Sequence, residues 1–354
     1  MSAIIEVVEA GLSVTVQDKG RTGYRNIGVP VSGALDPQLM AAANALLGNP
    51  ADAAVLEVCL GGPALKALSG TVRIALAGEL EAQVVNSRGR VLKVLPWQTA
   101  TLFPGDVIRI GGVAHGVGYV GISGGVRVAP QLGSRSTYLR AGIGGVDGHA
   151  LAVGDRLPCE SMSGDPWLEY CGALPWRRDE GAIRVLLGPQ DDYFSEASLQ
   201  AFLGTPYRAT REMDRMGIRL DGERLIHNEL GAEVVSDGVA PGSIQVPANG
   251  QPIVLMADCQ TSGGYPKIAT VIRADLCRLA HVRPGDEIRF AAVDHAQALA
   301  ALREQAQNLD RWVAGIASFR PPGVVDEAAL YGGNLISGAV RGDEPLHFAV
   351  PALT

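Results

Sequence analysis

The sequence predicts a mainly β fold, built from two tandem β domains with a few short helices. Three observations predict it. Glycine and proline are abundant, with 45 and 21 copies in 354 residues, while aromatics are only 5%. Such a chain turns often and packs small aliphatic side chains, which suits sheets joined by tight turns better than a helical bundle. Apolar runs of strand length recur between turn signals along the chain. Finally, the chain echoes itself. Phe103-Pro104-Gly105-Asp106-Val107-Ile108-Arg109 reads against Arg283-Pro284-Gly285-Asp286-Glu287-Ile288-Arg289, 180 positions on. Gly28-Val29-Pro30-Val31-Ser32-Gly33 reads against Gly217-Ile218-Arg219-Leu220-Asp221-Gly222, and Glu57-Val58 with Gly62 against Glu233-Val234 with Gly238. Three markers in the same order imply a duplicated domain rather than a solenoid, whose period would be far shorter.

The elements follow in order. A strand at Leu12–Val16 leads into a polar turn. A helix follows: Asp36 is a good N-cap, Pro37 suits the first helical position and Gly48 can close the end. Strands are predicted at Thr71–Ala77, Ala82–Asn86, Val91–Val94, Ala100–Phe103, Val107–Ile110 and Val117–Ile122. Residues 123–145 read as loop. A boundary is expected near Cys159–Arg178, where Pro158, Pro166 and Pro175 cluster with charges. The second copy opens with Ile183–Leu187, then a short helix at Ser195–Leu203. Strands are expected at Ser243–Val246 and Ile253–Met256, and Ile268–Leu279 reads as a short helix. Asp294–Ala314 reads as an amphipathic helix with Leu299, Leu302, Ala306 and Leu309 on its apolar face. The division expected is 1–165 for the first domain with its inserted helix, 180–293 for the second, and 294–354 for the C-terminal helix and tail.

Composition excludes several functions. The formal net charge is −7 and the isoelectric point about 5.4, with no basic block. Nucleic acid and anionic membrane surfaces are therefore not expected partners. No apolar run approaches the roughly 20 residues of a spanning helix. The N-terminus lacks the positive start of a signal peptide. The five cysteines, Cys59, Cys159, Cys171, Cys259 and Cys277, are odd in number and form no C-x-x-C. A disulfide framework and a zinc site are not expected, and a reducing cytoplasm is. The histidines, His115, His149, His227 and His281 among them, show no H-x-x-x-H pairing, so no metal is expected.

Candidate chemistry concentrates in Asp258-Cys259-Gln260-Thr261-Ser262-Gly263-Gly264-Tyr265-Pro266-Lys267. An acid, an amide, two hydroxyls, a phenol and an ammonium fall in ten residues. Paired glycines let backbone N–H groups approach a ligand. The site reading makes Asp258 an acid or base and lets Lys267 steady a negative oxygen; the bland reading is a turn with a solvated lysine. Gln17-Asp18-Lys19-Gly20-Arg21-Thr22-Gly23-Tyr24-Arg25 offers two arginines for a carboxylate or phosphate, or a charged hairpin. Gly133-Ser134-Arg135-Ser136-Thr137-Tyr138 suits an anion, or a mobile loop. Neither is a P-loop or a Rossmann fingerprint. Asp191 is a site acid or a helix cap. Asp214-Arg215 reads as a structural ion pair before a substrate arginine. Asn44 reaches either a site or water. Glu57 and Glu233, at equivalent places in the two copies, are read as structural. Cys259 has no neighbouring base, so a nucleophilic role is the minor reading.

Taken together, Val16-Gln17-Asp18 with Gly20-Arg21, Gly23-Tyr24-Arg25, Ser32-Gly33-Ala34, Asp36, Asn44 and Gly48-Asn49-Pro50 resemble the opening of one family. Leu132 to Tyr138, Gly188-Pro189-Gln190-Asp191, Asp214-Arg215-Met216-Gly217, Ile244-Gln245-Val246-Pro247 and Gln260-Thr261 with Gly263 to Ala269 agree. The chain resembles, over roughly residues 4 to 293, the biotin-dependent carboxyltransferase family, also called allophanate hydrolase subunit 2 or KipA. Its stand-alone bacterial members include the 5-oxoprolinase C subunit.

The resemblance implies two cyclophilin-like β-barrel domains. It implies ATP-dependent opening of 5-oxo-L-proline to L-glutamate together with the A and B subunits, of which the second is the KipI-like protein, and little activity without them. ATP would sit at the partner junction. Asp258 and Lys267 would be catalytic, and Arg25, Asn44, Arg135, Gln260, Thr261, Gly263, Gly264 and Tyr265 would bind substrate. Two alternatives go with it: a carboxyltransferase acting on urea or a related amide with a biotin carrier, and a KipA-like regulator binding a KipI-like partner. This chain departs from the pattern at Cys259, Met213 and His149, where arginine, serine and arginine are usual. The tail at 332–338 weakly echoes the urea carboxylase branch.

Overall fold

The structure is a computed structural model and describes residues 2–113, 116–162, 168–170 and 181–319. His115, Cys171, Pro166, Pro175 and the 332–338 segment lie outside those residues.

The fold is mainly β. The first half forms two antiparallel sheets. One has six strands in the order Arg156–Glu160, Ser2–Glu9, Ala64–Ser69, Val107–Ile110, Ala82–Val85, Val91–Val94. The other has five, in the order Leu12–Gln17, Val55–Gly61, Gly118–Ile122, Val72–Ala77, Thr99–Leu102. Alternation places Ile5, Val7, Leu56, Val58, Leu65, Ile74, Leu76 and Ile108 in one shared core. Strand Val72–Ala77 breaks the alternation, because all six residues are buried. Val72, Ile74 and Leu76 face the core, while Ala75 and Ala77 face outward beneath helix α1 (Pro37–Ala45). Alanine there leaves room for a helix to lie close on the sheet.

Helix α1 begins as its sequence directs. Asp36 Oδ1 accepts from the backbone N–H of Gln38 at 3.0 Å and Leu39 at 3.1 Å, with Pro37 in the first turn. Its apolar face joins Trp97, Val117 and Tyr119 from the first half with Ala280 and Trp312 from the second. It is therefore the helix at which the two halves meet.

The second half is built on an eight-stranded sheet. Its order is Glu287–Ile288, Tyr207–Met213, Gly217–Asp221, Ile253–Leu255, Ser243–Gln245, Lys267–Val271, Ile183–Leu187, Phe290–Ala292. The two edge strands are separated in sequence by Arg289 alone. One continuous segment thus pairs with both edges and nearly closes the sheet into a barrel, by the logic that removes exposed edges. Only the contact of Ile183–Leu187 with Phe290–Ala292 is parallel. Inside lie Val185, Ile218, Ile244, Val254 and Ile268, with Phe202 stacked on Phe290 at 4.7 Å between ring centres.

Helix α2 (Glu196–Gly204) is capped by Ser195, whose Oγ accepts from Ser198 N–H at 3.2 Å. The short helix expected within Ile268–Leu279 occupies the end of that stretch. Lys267–Val271 is a strand, and only Arg273–Leu279 is helical (α3). The β-branched Ile268, Thr270 and Val271 pack better on the sheet than in a helix.

Helix α4 (His295–Ala314) carries a capping box between Asp294 and Gln297. Its buried stripe is not the one expected. Leu299 is 53% exposed, and Ala306 is exposed too. The inward face runs through Ala298, Ala301, Gln305, Leu309 and Trp312 instead, with the spacing of one helical face. Gln305 Nε2 donates to Ala274 O at 2.8 Å, and Gln38 Nε2 donates to Gln305 O at 3.3 Å. Polar anchors, invisible to an apolar count, set the rotation of this helix. Among the described residues, no helix is long and apolar enough to cross a membrane.

The repeated Pro-Gly-Asp turns match in detail. Gly105 and Gly285 both have φ of +94°, where glycine is favoured. Gly105 N–H donates to Ala67 O at 2.8 Å, and Gly285 N–H to Ala209 O at 2.7 Å. Each aspartate accepts from the residue three positions back, Phe103 N–H at 3.0 Å and Arg283 N–H at 2.9 Å. The strand after each turn pairs antiparallel with its counterpart, Val107 with Lys66 and Glu287 with Arg208. The other two markers do not correspond. Residues 28–33 are loop, whereas Gly217–Asp221 is a strand. Glu57 is buried in a strand, whereas Glu233 lies exposed in a loop.

Candidate functional site

The loop after strand Ile253–Leu255 meets three other segments. Strand Lys267–Val271 returns beside it, and Asp237–Gly238 pairs with Ser262–Gly263. Gln190, after strand Ile183–Leu187, exchanges backbone and side-chain bonds with Lys267: Gln190 N–H donates to Lys267 O, and Lys267 N–H to Gln190 Oε1, each at 3.1 Å. Lys267 is 2% exposed. Its ammonium donates to Asp237 Oδ2 at 2.7 Å and Gly238 O at 3.1 Å. An ammonium has three N–H groups, so one is left for a ligand. Asp237 is held below the usual carboxylate range, first by Lys267 and then by Gly238 N–H and Gln190, so it is an anion at neutral pH.

The first half reaches into this loop. Arg25 Nη2 donates to Val239 O and lies 3.4 Å from Gln260 O. Gln260 Nε2 donates to Gln245 Oε1 at 3.1 Å. Lys267, Gln260, Thr261, Gly263, Gly264 and Arg25, singled out in the sequence, are thus gathered with Asp237, Gln190 and Gln245. Tyr265 is 42% exposed at the rim. Cys259 is fully buried beneath the loop, and burial pushes its thiol up, against the pull of Arg25. A thiol so held is a poor nucleophile.

Gln190, Asp237 and Gln245 join the candidate site without having been singled out for a role, although Gln190 and Gln245 lie in motifs that carry the family resemblance. Gln245 sits between Ile244 and Val246 and reads as plain strand. Gln190 follows a Gly-Pro turn, where polar residues are ordinary. Only the fold brings them to Lys267.

Asp258 is not an available acid or base, contrary to the sequence reading. Arg215 donates to both its oxygens, Nε to Oδ2 at 2.8 Å and Nη2 to Oδ1 at 3.1 Å. The same guanidinium pairs with Glu57 and donates to Gly33 O at 2.6 Å. Glu57 Oε2 accepts in turn from Tyr119 Oη–H at 2.6 Å and Leu35 N–H at 2.8 Å. Burial alone would lower the Arg215 guanidinium, but Glu57 and Asp258 outweigh it and hold it above its ordinary value. Burial, reinforced by Glu57 and Asp36, pushes the Tyr119 phenol well up. The chain Asp258–Arg215–Glu57–Tyr119 is therefore a charged seam between the halves. A second strut joins His281 Nε2 to Asp36 Oδ2 at 2.9 Å. The structural ion pair expected at Asp214-Arg215 has other partners: Arg215 bonds Glu57 and Asp258, and Asp214 accepts from the N–H groups of Met216 and Gly217.

Asn44 and Arg135 are spent elsewhere. Asn44 is fully buried, its amide donating to Ala53 O at 2.9 Å and accepting from Asn49 at 3.1 Å. It shapes the end of α1 and does not face solvent. Arg135 donates from Nε to Val128 O at 2.8 Å and from its backbone to Asp18 at 2.6 Å. Asp18 also accepts from the Ser134 and Ser136 hydroxyls, each at 2.6 Å. The serine-rich loop thus turns its donors inward on a carboxylate rather than outward to an anion. Asp191 opens a short 3-10 turn, and Ser195 caps the helix that follows.

A cavity of about 1070 Å³ lies apart from these loops, bordered by Leu39, Trp97, Arg184, Asp275 and His281. On its wall Arg184 and Arg278 both bond Asp275, at 2.6 and 3.1 Å. The Lys267 loop, with a buried ammonium that has a free donor, is the better candidate site.

Residues 27–292 match the family described as carboxyltransferase domain, subdomain A and B. The chain is 37% identical over 314 residues to the 5-oxoprolinase C subunit of Escherichia coli K12, covering 87% of this chain and 97% of that protein. It is 33% identical over 309 residues to the 5-oxoprolinase C subunit of Haemophilus influenzae, again covering 87% and 97%. Among solved structures, the K. lactis urea amidolyase is similar, with a TM-score of 0.76 at 26% identity, covering 87% of this chain and 20% of that one.

Proposed function

The chain belongs to the carboxyltransferase domain family, and on that premise we propose that it is the C subunit of an ATP-dependent 5-oxoprolinase. It opens 5-oxo-L-proline to L-glutamate together with the A and B subunits. The observation that carries this is the near end-to-end match to two relatives of that name, each covered over 97% of its length.

The chemistry of the Lys267 loop supports the reading. A lactam amide resists water, so its carbonyl oxygen must be activated and the developing negative charge held. The free N–H of Lys267 and the flexible backbone at Gly263–Gly264 can face that oxygen. Asp237 and Gly238 fix the ammonium, so little reorganisation is needed as charge develops. Asp258 takes no part in proton transfer, because Arg215 occupies it. ATP supplies the phosphoryl group that activates the amide. No G-x-x-x-x-G-K-[ST] loop occurs in the sequence, which favours a nucleotide held at the junction with the partner subunits. The cytoplasm is the expected compartment, and the four described cysteines are all free.

Carboxyl transfer from a biotin carrier to urea or a related amide is the second reading, favoured by the likeness to the K. lactis urea amidolyase. Reconstitution with the A and B subunits decides between them. The expected result is glutamate release from 5-oxo-L-proline that requires ATP and falls at least roughly a hundredfold in Lys267→Met. A stable complex that releases no glutamate, but carboxylates urea with a biotin carrier, would reverse the order.

A further inference from the structure

Two buried donors beside Lys267 have no acceptor among the described residues. One is Nε2 of Gln245, a side chain 2% exposed. The other is Nη1 of Arg25. Both sit against Gln260. Its amide donates to Gln245 Oε1 at 3.1 Å, which pins that side chain and turns Nε2 away. Val239 O and Gln260 O take Arg25 Nη2, and Nη1 has no hydrogen-bond acceptor in place, with the Cys259 thiol as the guanidinium's other near neighbour. Gly263 closes the arrangement: a Cβ there would collide with Gln245 Nε2 and lie 3.3 Å from Val239 Cγ1. The loop therefore has no side chain at the point where the amide nitrogen meets it.

A buried donor without an acceptor is destabilising, and more so when it is charged. Two such donors, from opposite halves of the chain, point to an acceptor that arrives with a ligand. We propose that Gln245 Nε2 and Arg25 Nη1 together receive the carboxylate of a small amide substrate. This rests on the oxoprolinase reading and deepens it by naming the group recognised. A carboxylate has two oxygens and one negative charge, matching one neutral and one cationic donor. A cation would be repelled by Arg25. Lys267 is held by Asp237 and Gly238, so its remaining N–H is left for the amide oxygen. The two ends of an amino-acid lactam are thus recognised by different residues, and Gln245 is a specificity residue rather than part of the strand's packing.

The test uses the complex of this chain with the A and B subunits, and two probes. One is 5-oxo-L-proline; the other is 2-pyrrolidinone, the same ring without the carboxylate. In the wild type, titration calorimetry is expected to show 5-oxo-L-proline bound and 2-pyrrolidinone bound at least roughly tenfold more weakly. Gln245→Leu and Gln245→Glu are each expected to raise KM and Kd for 5-oxo-L-proline at least roughly tenfold, change kcat far less, and leave 2-pyrrolidinone binding alone. The near-isosteric Gln245→Glu serves if the leucine variant does not fold. Unchanged KM and Kd in the variants, or equal wild-type binding of the two probes, would overturn the receptor. Glutamate release with silent variants removes the receptor and keeps the oxoprolinase reading. Gln245-dependent binding of 5-oxo-L-proline without glutamate release removes the reading and keeps the receptor.

Discussion

Arg215 shows how much one side chain can carry. It spans two carboxylates, both nearly inaccessible to water, and a carbonyl from the opposite half. Arg215→Met would leave Glu57 and Asp258 buried without a cation. A loss of about 3–5 kcal/mol is expected, read from the denaturant midpoint. A variant within about 1 kcal/mol of wild type would mean that water reaches the pair. Part of this scale is legible in the sequence. Lys267, Gln260 and the glycine pair stand out because polar groups crowd one short loop. Asp258, in the same loop, misleads because its partner lies 43 residues away in the chain. Gln245 stays hidden because a lone polar residue inside an apolar strand gives no local sign of what it faces.

Helices illustrate the next scale. The start of α1 is legible in full, since Asp36 and Pro37 act within one turn. Asp36→Ala removes the cap and the partner of His281. It is expected to cost about 1–2 kcal/mol, visible as a lower melting temperature. The rotation of α4 is not legible, because glutamine bonds rather than leucines decide it. Two substitutions compare the faces. Trp312→Ala, at a residue 4% exposed and edge-on to Trp97 at 5.6 Å, should cost about 3–5 kcal/mol. Leu299→Ala should stay within about 0.5 kcal/mol. Equal losses from both would mean that the helix lies on its other side. Strands such as Ser2–Glu9 follow their alternation well, whereas Val72–Ala77 and Gly118–Ile122 are buried along their whole length and no alternation survives there.

The molecule as a whole should weaken in alkali. Burial pushes the thiols of Cys59, Cys159 and Cys277 up to about 12, from an ordinary value of 9.0. The folded state therefore holds these protons more tightly than the unfolded chain. Their contribution is complete below about pH 9 and is lost as pH rises toward about 12, by about 1.4 kcal/mol per pH unit for each group. Melting temperature is expected to be level from about pH 7 to 8.5 and to fall above about pH 9, less steeply in Cys159→Ala. A level profile up to about pH 10.5 would contradict the burial of these thiols. Two β bodies can be foreseen because one turn is repeated almost atom for atom. How they are joined cannot, since Glu57 and Arg215 lie 158 residues apart and nothing local links them.

That seam has a consequence for descent. A fragment ending at residue 162 would enclose Glu57 and Asp36 but lack Arg215 and His281; the complementary fragment would carry the cations without their acids. Each piece is expected to be less stable alone than in the whole chain, although each keeps its own hydrophobic core. A gene split between them would have to yield products that find each other before either is degraded. The repeated turn is the part of the internal echo that the structure retains, and the ion seam ties the halves on either side of it so that each depends on the other's charges.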